Sequence, residues 1–306
     1  MIRRAEVQGF RGLNVTVDLK KVNIVVGENG TGKTSFLEAL FLATLFQSDM
    51  SEADLTNSFN YAMVSRGDML SAFSALSDST VTLMDEDASS TNGKNTVNFK
   101  KKDIYSLEVY VNDDKVAEIS VKRAQISLEG LSGPIFLPVT NLIKRVNNRY
   151  SPFYISTFFD NSTNPERIFS IARRKNKKIE SKFEILQDEY GIFKLYYGSL
   201  PAYVIGRGIL KREMIRLGLA ASNLLLIDEI EDSLHPDLVM QVLQDIKHSN
   251  AQVVFTTHVN EVVKMASKVF DDNEVAVIYL TKRGYKVYKL SELSEFEEPL
   301  SWTGYV

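Results

Sequence analysis

Cysteine is missing from this 306-residue chain, and long apolar runs are missing as well. Without thiols the chain has no disulfide, no thiolate metal site and no cysteine nucleophile, which fits a cytoplasmic location. The apolar runs are too short to span a bilayer and the N-terminus lacks a signal-peptide pattern, so we expect no membrane segment. Lys and Arg (36) nearly balance Asp and Glu (39), so any nucleic-acid contact must come from local patches.

A glycine-rich stretch from Gly27 to Thr34 is the most informative feature that is present. It reads Gly-Glu-Asn-Gly-Thr-Gly-Lys-Thr and fits the phosphate-loop pattern G-x-x-x-x-G-K-[ST] at every fixed position. Val22–Val26 reads as a buried strand before it, and Thr34–Leu42 has the apolar spacing of a helix after it. Strand, turn and helix are the context that this motif requires, so we expect a nucleotide-binding loop.

The residue types of this loop suit a nucleotide such as ATP. Its glycines let successive N–H groups point at phosphate oxygens, and the helix N-terminus adds partial positive charge. Lys33 is expected to reach the β- and γ-phosphates, and the Thr34 hydroxyl to ligate Mg²⁺. The predicted nucleotide-binding residues of the loop are Asn29, Gly30, Thr31, Gly32, Lys33, Thr34 and Ser35.

A second candidate part of the site follows a continuous apolar run, Leu224–Ile227. Such a run is typical of a parallel strand that is covered on both faces. Asp228, at its end, is expected to hold Mg²⁺, and Glu229 to orient or polarise the attacking water. Together with Lys33, these acids would supply much of the catalysis.

Two of the three histidines lie at the ends of predicted elements near these acids. His258 follows the apolar strand Val253–Thr257, where it would contact the γ-phosphate. The alternative is a structural histidine with satisfied hydrogen bonds. His235 precedes a helix predicted from Pro236 to Lys247, and His248 is expected to be exposed.

The first 135 residues read as mostly β outside the loop and its helix. Residues 1–20 predict a hairpin-like pair of strands with Arg11 near the turn, where it would approach the nucleotide or be a solvated turn arginine. Residues 48–135 predict an inserted β-rich lobe. Its clearest strands are Val81–Leu83, Thr96–Phe99, Tyr105–Val111 and Val116–Ile126.

Residues 136–200 are expected to be a helical segment, with one helix from Pro165 to Gln187. Its middle is strongly basic, which suits either the charged outer face of a surface helix or a patch that contacts nucleic-acid backbone. Lys100–Lys102 poses the same two alternatives. The basic residues of the predicted helix are Arg173, Arg174, Lys175, Lys177 and Lys178.

These segments together resemble the ABC-type ATPases, specifically the SMC/RecF-like branch with its DNA-repair and phage-defence members. Val7–Leu13 is similar to that branch's N-terminal strand and turn, and Gly27–Ser35 to its phosphate loop. Leu224–Pro236 is similar to the magnesium-binding strand, the catalytic glutamate and the dimer-contacting loop, which would include Ser233 and His235. Thr257-His258 resembles the switch histidine.

One family motif departs from its pattern. The family carries L-S-x-G-E before the magnesium strand, where it caps the γ-phosphate of a nucleotide held by the opposite subunit. The matching residues here include Gly206, Arg207 and Gly208, with Gly206 in place of the serine and Ile209 in place of the acid. Both glycines still offer backbone N–H groups at a helix N-terminus. Gln125 is the only candidate for the family's glutamine loop.

The resemblance implies an α/β fold of the ABC/SMC-head P-loop NTPase type, with a mixed core sheet flanked by helices and an antiparallel β lobe. We expect one such domain over residues 1–306, with residues 201–290 carrying the signature, the acids and the switch histidine. No heptad array follows the phosphate loop, so the chain resembles the compact AAA-family, OLD-like ATPases rather than an SMC arm. Residues 274–281 and 284–290 predict a final strand pair.

The resemblance also implies a function: Mg²⁺-dependent ATP hydrolysis coupled to ATP-driven homodimerisation and to a DNA-linked process of repair or phage defence. A nuclease-like effector is expected to be a separate protein, and DNA is a candidate ligand. One alternative is a switch or scaffold that binds ATP without hydrolysing it, which the altered signature motivates. The other is the nucleotide-binding subunit of an ABC transporter.

Overall fold

The computed structural model describes residues 1–64, 75–76, 78–86, 93–128, 131–146, 149–156, 169–170, 172–174, 181–187, 191–202 and 204–294. The chain forms two compact units, the first from Met1–Leu19 and Thr34–Ser151, the second from Lys20–Lys33 and Pro152–Val306. The helices are α1 (Lys33–Leu45), α2 (Glu52–Val64), α3 (Arg207–Ala221), α4 (Pro236–His248), α5 (Asn260–Ser267) and α6 (Leu290–Ser294). The strands are β1 (Ile2–Phe10), β2 (Leu13–Asp18), β3 (Val22–Gly27), β4 (Ser79–Asp85), β5 (Lys94–Asp103), β6 (Ser106–Val111), β7 (Asp114–Leu128), β8 (Leu131–Leu142), β9 (Pro152–Ile155), β10 (Phe183–Gln187), β11 (Phe193–Tyr197), β12 (Leu200–Pro201), β13 (Leu224–Ile227), β14 (Gln252–Thr256), β15 (Val275–Thr281) and β16 (Gly284–Tyr288).

The first unit is built on a seven-stranded antiparallel sheet in the order β2-β1-β4-β5-β6-β7-β8. The hairpin expected over residues 1–20 is confirmed by β1 and β2, and the four predicted strands of the β lobe are confirmed by β4 to β7. The boundary of the lobe is corrected, because β1 pairs with β4 and the sheet continues through β8. Residues 48–135 also contain helix α2, which the polar composition of that stretch did not reveal.

Aromatic side chains fill the core of the first unit. Phe99 of β5 packs edge-on against Phe10 of β1 and against Phe46, which follows α1, with ring centroids 6.1 and 6.2 Å apart. Phe46 in turn lies 6.3 Å from Phe59 of α2. Edge-to-face pairs of this kind add about 0.5–1.5 kcal/mol beyond the buried area. This cluster therefore ties both helices to the sheet.

The second unit contains a six-stranded sheet in the order β16-β15-β3-β14-β13-β9. Neighbouring strands from β15 to β9 are parallel, and only β16 runs antiparallel. Every residue of β3, β13 and β14 is buried, as their mainly apolar sequences predict. The predicted helix after Pro236 and the predicted final strand pair are confirmed by α4 and by β15 with β16.

The helical segment expected over residues 136–200 is wrong for most of the described residues. β8 continues to Leu142, and β9 to β12 follow before α3 begins. In place of the end of the helix from Pro165 to Gln187, β10 pairs with β11 and buries Phe183 against Tyr197, with ring centroids 5.3 Å apart. This tertiary packing overrides the local helical pattern. Pro138 is accommodated within β8 because that strand lies at the sheet edge.

Two further expectations concern the basic run at residues 173–178 and the candidate for the glutamine loop. Arg173 and Arg174 are exposed residues of a helical turn, and the Arg173 guanidinium carbon lies 5.8 Å from the Phe169 ring centroid. The rest of that basic run, Lys175, Lys177 and Lys178, lies outside the described residues. The glutamine-loop candidate Gln125 is in strand β7, where its backbone pairs with Pro134, so it does not lie in a loop.

Candidate functional site

The phosphate loop joins β3 to α1 through a backbone that only glycine adopts easily. Gly27, Gly30 and Gly32 have φ angles of 144°, 78° and 99°. A Cβ atom at Gly27 would collide with the carbonyl oxygen of Leu280 in β15, the neighbouring strand. Glycine at this position therefore serves both the turn and the close approach of the two strands.

Lys33 is buried, with 8% of its surface exposed, and its ammonium group is held by the loop itself. Its Nζ donates to the carbonyl oxygens of Gly27 and Glu28 at 2.7 and 2.9 Å. Burial lowers the pKa of Lys33, and the negative charges of Glu229 and Asp228 oppose that shift. The structure thus brings the loop lysine and the two predicted acids into one electrostatic environment.

The other predicted loop residues differ in exposure. Asn29 and Gly30 are exposed at the tip of the loop, whereas the Thr31 hydroxyl donates to the carbonyl oxygen of Glu28 at 2.8 Å. Thr34 and Ser35 are half-buried and belong to the first turn of α1. Their position at a helix N-terminus is the one at which hydroxyl and N–H groups meet phosphate in this motif.

Asp228 and Glu229 follow β13, at the carboxyl edge of the parallel strands. Asp228 is buried and its Oδ1 accepts a hydrogen bond of 2.7 Å from the Thr256 hydroxyl, at the end of β14. The same hydroxyl oxygen accepts the backbone N–H of Glu229 at 2.7 Å. One threonine therefore connects both acids that the sequence singles out.

The pKa of Glu229 is raised above the ordinary value of a glutamate. Burial is the largest cause, the negative charge of Asp228 adds to it, and His258 opposes it. A carboxylate whose proton affinity is raised in this way is better suited to accept a proton.

His258 is oriented by Glu231, a residue that the sequence pattern did not single out. Oε1 of Glu231 accepts the backbone N–H of His258 at 3.1 Å and lies 3.0 Å from its ring Nδ1. This contact places a proton on Nδ1, which leaves Nε2 as the other ring nitrogen for a ligand. The imidazole side chain is 51% exposed, so the ring is accessible to a ligand.

The altered signature lies at the start of a helix, as predicted. Gly206 is the N-cap of α3 and makes no side-chain capping bond, and both it and Arg207 are exposed. Gly208 packs against the loop that carries Ser233: a Cβ atom there would lie 2.5 Å from the Ser233 carbonyl oxygen. Ser233 is exposed with φ 61°, and the exposed His235 caps α4 by accepting the Asp237 N–H at 3.4 Å.

Arg11, in the first unit, is not a solvated turn arginine. Its side chain is 9% exposed, and its Nη1 lies 2.6 Å from Oε2 of Glu38, a side chain of α1 with no exposed surface. Arg11 also has φ 49° at the β1–β2 turn. The contact that the structure assigns to Arg11 is therefore this buried ion pair.

Three residues of the site were missed by sequence reasoning: Lys211, Glu231 and Thr256. Lys211 had a readable signal, because it lies on the buried stripe of α3 at helical spacing with Met214, Ile215 and Gly218. A lysine on an apolar stripe is rarely buried without a specific partner. Glu231 and Thr256 carry no comparable signal, since their roles depend on contacts between loops and strands distant in sequence.

A glycine-rich strand–loop–helix, with a buried lysine beside two acids at the carboxyl edge of parallel strands, defines a P-loop ATPase of the ABC/SMC-head type. The chain belongs to the AAA ATPase domain family, whose sequence pattern matches residues 1–198 of the 306. A second pattern, described as an AAA domain, putative AbiEii toxin, type IV TA system, matches residues 134–264.

Solved structures with this fold include two with a TM-score above 0.5. One is an SMC head bound to the C-winged helix domain of ScpA, with a TM-score of 0.53, 12% identity, and coverage of 96% of this chain and 99% of that chain. The other is the recombination mediator protein RecF with ATP from the RecFOR pathway, with a TM-score of 0.52, 12% identity, and coverage of 94% and 97%.

Among curated sequences, the uncharacterized protein YbjD of Escherichia coli K12 is 41% identical over 51 residues. That match spans 16% of this chain and 9% of the relative. Within the part of the chain that the structure describes, no helix is long and apolar enough to cross a membrane.

Proposed function

We propose that this protein binds ATP with Mg²⁺ and hydrolyses it. The observation that carries the proposal is the grouping of Lys33, Asp228, Glu229 and His258 in the second unit, where the charges of Glu229 and Asp228 act on the Lys33 ammonium. Family membership and the ABC/SMC-head fold support the same reaction.

In this reaction the oxygen of a water molecule forms a bond to the γ-phosphorus while the bond from phosphorus to the β–γ bridging oxygen breaks. Glu229 orients the water and accepts its proton, and ADP leaves with the bridging oxygen. Lys33 stabilises charge on the β- and γ-phosphates, and His258 presents Nε2 to the γ-phosphate. Inorganic phosphate and one proton are released in the net reaction.

The donor set fits a magnesium ion held mainly by the nucleotide. Among the described residues no group of three or more His, Cys, Asp or Glu side chains forms a metal site. Mg²⁺ in phosphoryl-transfer enzymes is bound through one or two protein oxygens, phosphates and water. The Asp228 carboxylate and the Thr34 hydroxyl are the oxygens to which the motif assigns this role, and the ion would neutralise developing negative charge.

The test is ATP binding and turnover for the wild type, Lys33→Ala and Glu229→Gln. Loss of the charged Lys33 contact is expected to weaken ATP binding about 10- to 100-fold, since such hydrogen bonds are worth about 1.5–3 kcal/mol. Glu229→Gln is expected to bind ATP and lower kcat about 100-fold or more, as loss of a general base does. Unchanged binding and turnover in Lys33→Ala would refute the proposal.

We further propose that ATP closes a homodimer and that hydrolysis is coupled to a DNA-linked process through a partner protein. Support comes from the resemblance to SMC/RecF-like ATPases and from the solved structures, one an SMC head with a ScpA domain and one a recombination mediator. Gly206, Arg207 and Gly208 would face the nucleotide held by the opposite subunit. Ser233 and His235 would contact the opposite subunit itself. Solution mass with and without ATP, and turnover with and without double-stranded DNA, test these two statements separately.

A non-hydrolysing ATP switch is the second candidate, favoured by the altered signature. At Gly206 the family has a serine, and the structure shows no side-chain capping bond at this helix N-terminus. Without that hydroxyl, the nucleotide of the opposite subunit would lose one hydrogen-bond donor. Stoichiometric ATP occupancy with no turnover by the wild type would select this function over hydrolysis.

A further inference from the structure

The backbone of Glu229 adopts a left-handed conformation, with φ 46°. Residues with a Cβ atom are strained in such a conformation, and they keep it only where the surroundings over-determine it. Glu229 directly follows the four buried residues of β13, so its φ angle decides where the side chain leaves the sheet edge. The contacts on either side of this residue therefore determine the position of its carboxylate.

On the N-terminal side the contact comes from Thr256, which has no exposed surface. Its hydroxyl oxygen accepts the Glu229 N–H at 2.7 Å and donates its own proton to Oδ1 of Asp228 at 2.7 Å. The backbone carbonyl of Thr256 accepts the N–H of Ile230 at 3.0 Å. Thr256 thus holds the two peptide N–H groups that flank the left-handed residue.

On the C-terminal side the contact comes from Lys211, a lysine of α3 that is 2% exposed. Its Nζ donates to the carbonyl oxygen of Glu229 at 2.6 Å. Burial lowers the pKa of Lys211, and the nearby acids Asp232 and Glu231 oppose that shift. A buried ammonium is costly unless it is hydrogen-bonded, so the lysine and the Glu229 carbonyl depend on each other.

We propose that Thr256 and Lys211 form a two-sided backbone clamp that holds Glu229 in its left-handed conformation and thereby positions its carboxylate toward the attacking water. Both are positioning residues: Lys211 acts through Glu229, and Thr256 acts through Glu229 and through Asp228. The inference rests on the proposed hydrolysis. It predicts that loosening the clamp slows the chemical step, and that loosening its Lys211 side leaves ATP affinity unchanged.

The test compares Thr256→Val with Thr256→Ser. Valine keeps the shape and removes the hydroxyl, whereas serine keeps the hydroxyl. Thr82→Val is the matched control, because the Thr82 hydroxyl contacts Thr96 at 3.2 Å in the sheet of the first unit. Lys211→Met removes the ammonium from the other side of the clamp. Three quantities are measured for each variant: kcat, the Kd for Mg·ATP, and deuterium exchange of the Glu229 amide by fragmentation mass spectrometry.

In Thr256→Val we expect kcat to fall about 10- to 100-fold, as kcat does when reacting groups are slightly misplaced, with faster exchange of the Glu229 amide. Lys211→Met should lower kcat in the same way, with the Kd for Mg·ATP unchanged within about twofold. Thr256→Ser and Thr82→Val should match the wild type. The proposed clamp is wrong if the Thr256→Val substitution leaves either kcat or the exchange rate of the Glu229 amide unchanged. If Lys211→Met fails to fold, the threonine pair decides the outcome.

The exchange measurement separates this inference from the proposed function. If the wild type binds ATP but does not turn it over, the proposed hydrolysis fails. The clamp on the Glu229 backbone then stands if Thr256→Val accelerates exchange of that amide and Thr256→Ser does not. It falls if both variants exchange at the wild-type rate.

Discussion

Oε1 of Glu231 accepts a hydrogen bond of 3.1 Å from the backbone N–H of His258 and lies 3.0 Å from the ring Nδ1 of His258. A single carboxylate oxygen thus sets both the position of the backbone and the orientation of the ring. The Glu231 side chain is only 13% exposed, whereas the His258 side chain is 51% exposed, so the contact joins a mostly buried carboxylate to a solvent-accessible ring. The orientation of the histidine is therefore set by the protein itself.

We predict that Glu231→Gln lowers kcat about 10-fold, since a hydrogen bond to a charged group is worth about 1.5–3 kcal/mol, while ATP affinity stays within about twofold. The measurement is steady-state ATP turnover with a separate binding titration. Glu261→Gln, at an exposed position of α5, serves as the control and should match the wild type.

A double-mutant cycle shows whether Glu231 acts through His258. If it does, the double variant Glu231→Gln with His258→Asn is no slower than His258→Asn alone. Additive losses would contradict the orienting role of Glu231.

We predict that Glu229→Gln raises the thermal unfolding midpoint at pH 7.5. The pKa of Glu229 is raised in the folded protein by burial and by Asp228. A group whose pKa is raised in the folded protein stabilises the fold fully at pH values below its unfolded-state pKa, which is near 4.5 for glutamate. This stabilisation is lost as the pH rises through the pKa of the group in the folded protein. At pH 7.5 the ionised carboxylate therefore destabilises the fold, and glutamine removes that charge.

The pH dependence provides the decisive comparison. The stability difference between Glu229→Gln and the wild type should shrink as the pH falls through the raised pKa of Glu229 and the carboxylate takes up a proton. Glu261→Gln should show no comparable pH-dependent gain. A gain of equal size above and below that pKa would point to a cause other than the ionisation of Glu229.

We predict that Gly208→Ala destabilises the protein by about 1–3 kcal/mol, as overpacking does. The added Cβ would lie 2.5 Å from the carbonyl oxygen of Ser233, a backbone atom that cannot move aside without displacing its loop. At Gly206 the corresponding space is open, so Gly206→Ala should cost less, about 0.5–1 kcal/mol, for replacing a favourable N-cap residue by alanine. Urea unfolding of both variants measures the difference, and equal stabilities would contradict the close packing of α3 on this loop.

We predict that Arg11→Ala costs about 3–5 kcal/mol of stability, because it removes the cation beside the fully buried carboxylate of Glu38. Arg4→Ala is the matched control, since the exposed contact of Arg4 with Asp18 is worth at most about 1 kcal/mol. The measurement is urea unfolding at low and at high salt. A loss in Arg11→Ala that high salt abolishes would indicate an exposed pair rather than a buried one.

Fold and site were predictable from the sequence where the pattern is local. The strands β3 and β13 and helix α1 follow from short apolar runs beside residues that the chemistry requires, and all were predicted within a few residues of their observed ends. Phe183–Gln187 was predicted as the end of a helix, because apolar spacing alone does not show that β10 has a strand partner in β11. For Arg11 the sequence left two alternatives open, contact with the nucleotide or exposure to solvent. Nothing in residues 1–20 indicates that Glu38 would be its partner.

By itself, the sequence determined the phosphate loop and the acids after β13, because phosphate binding and metal binding require particular residue types at fixed spacing within one short stretch. The tertiary structure decided which groups hold those residues in place. Thr256 and Lys211 reach Glu229 from positions 27 and 18 residues away, and Glu231 reaches His258 across 27 residues. Such contacts arise only where parallel strands end at a common edge, so chain folding and not local pattern sets the geometry of the candidate catalytic residues.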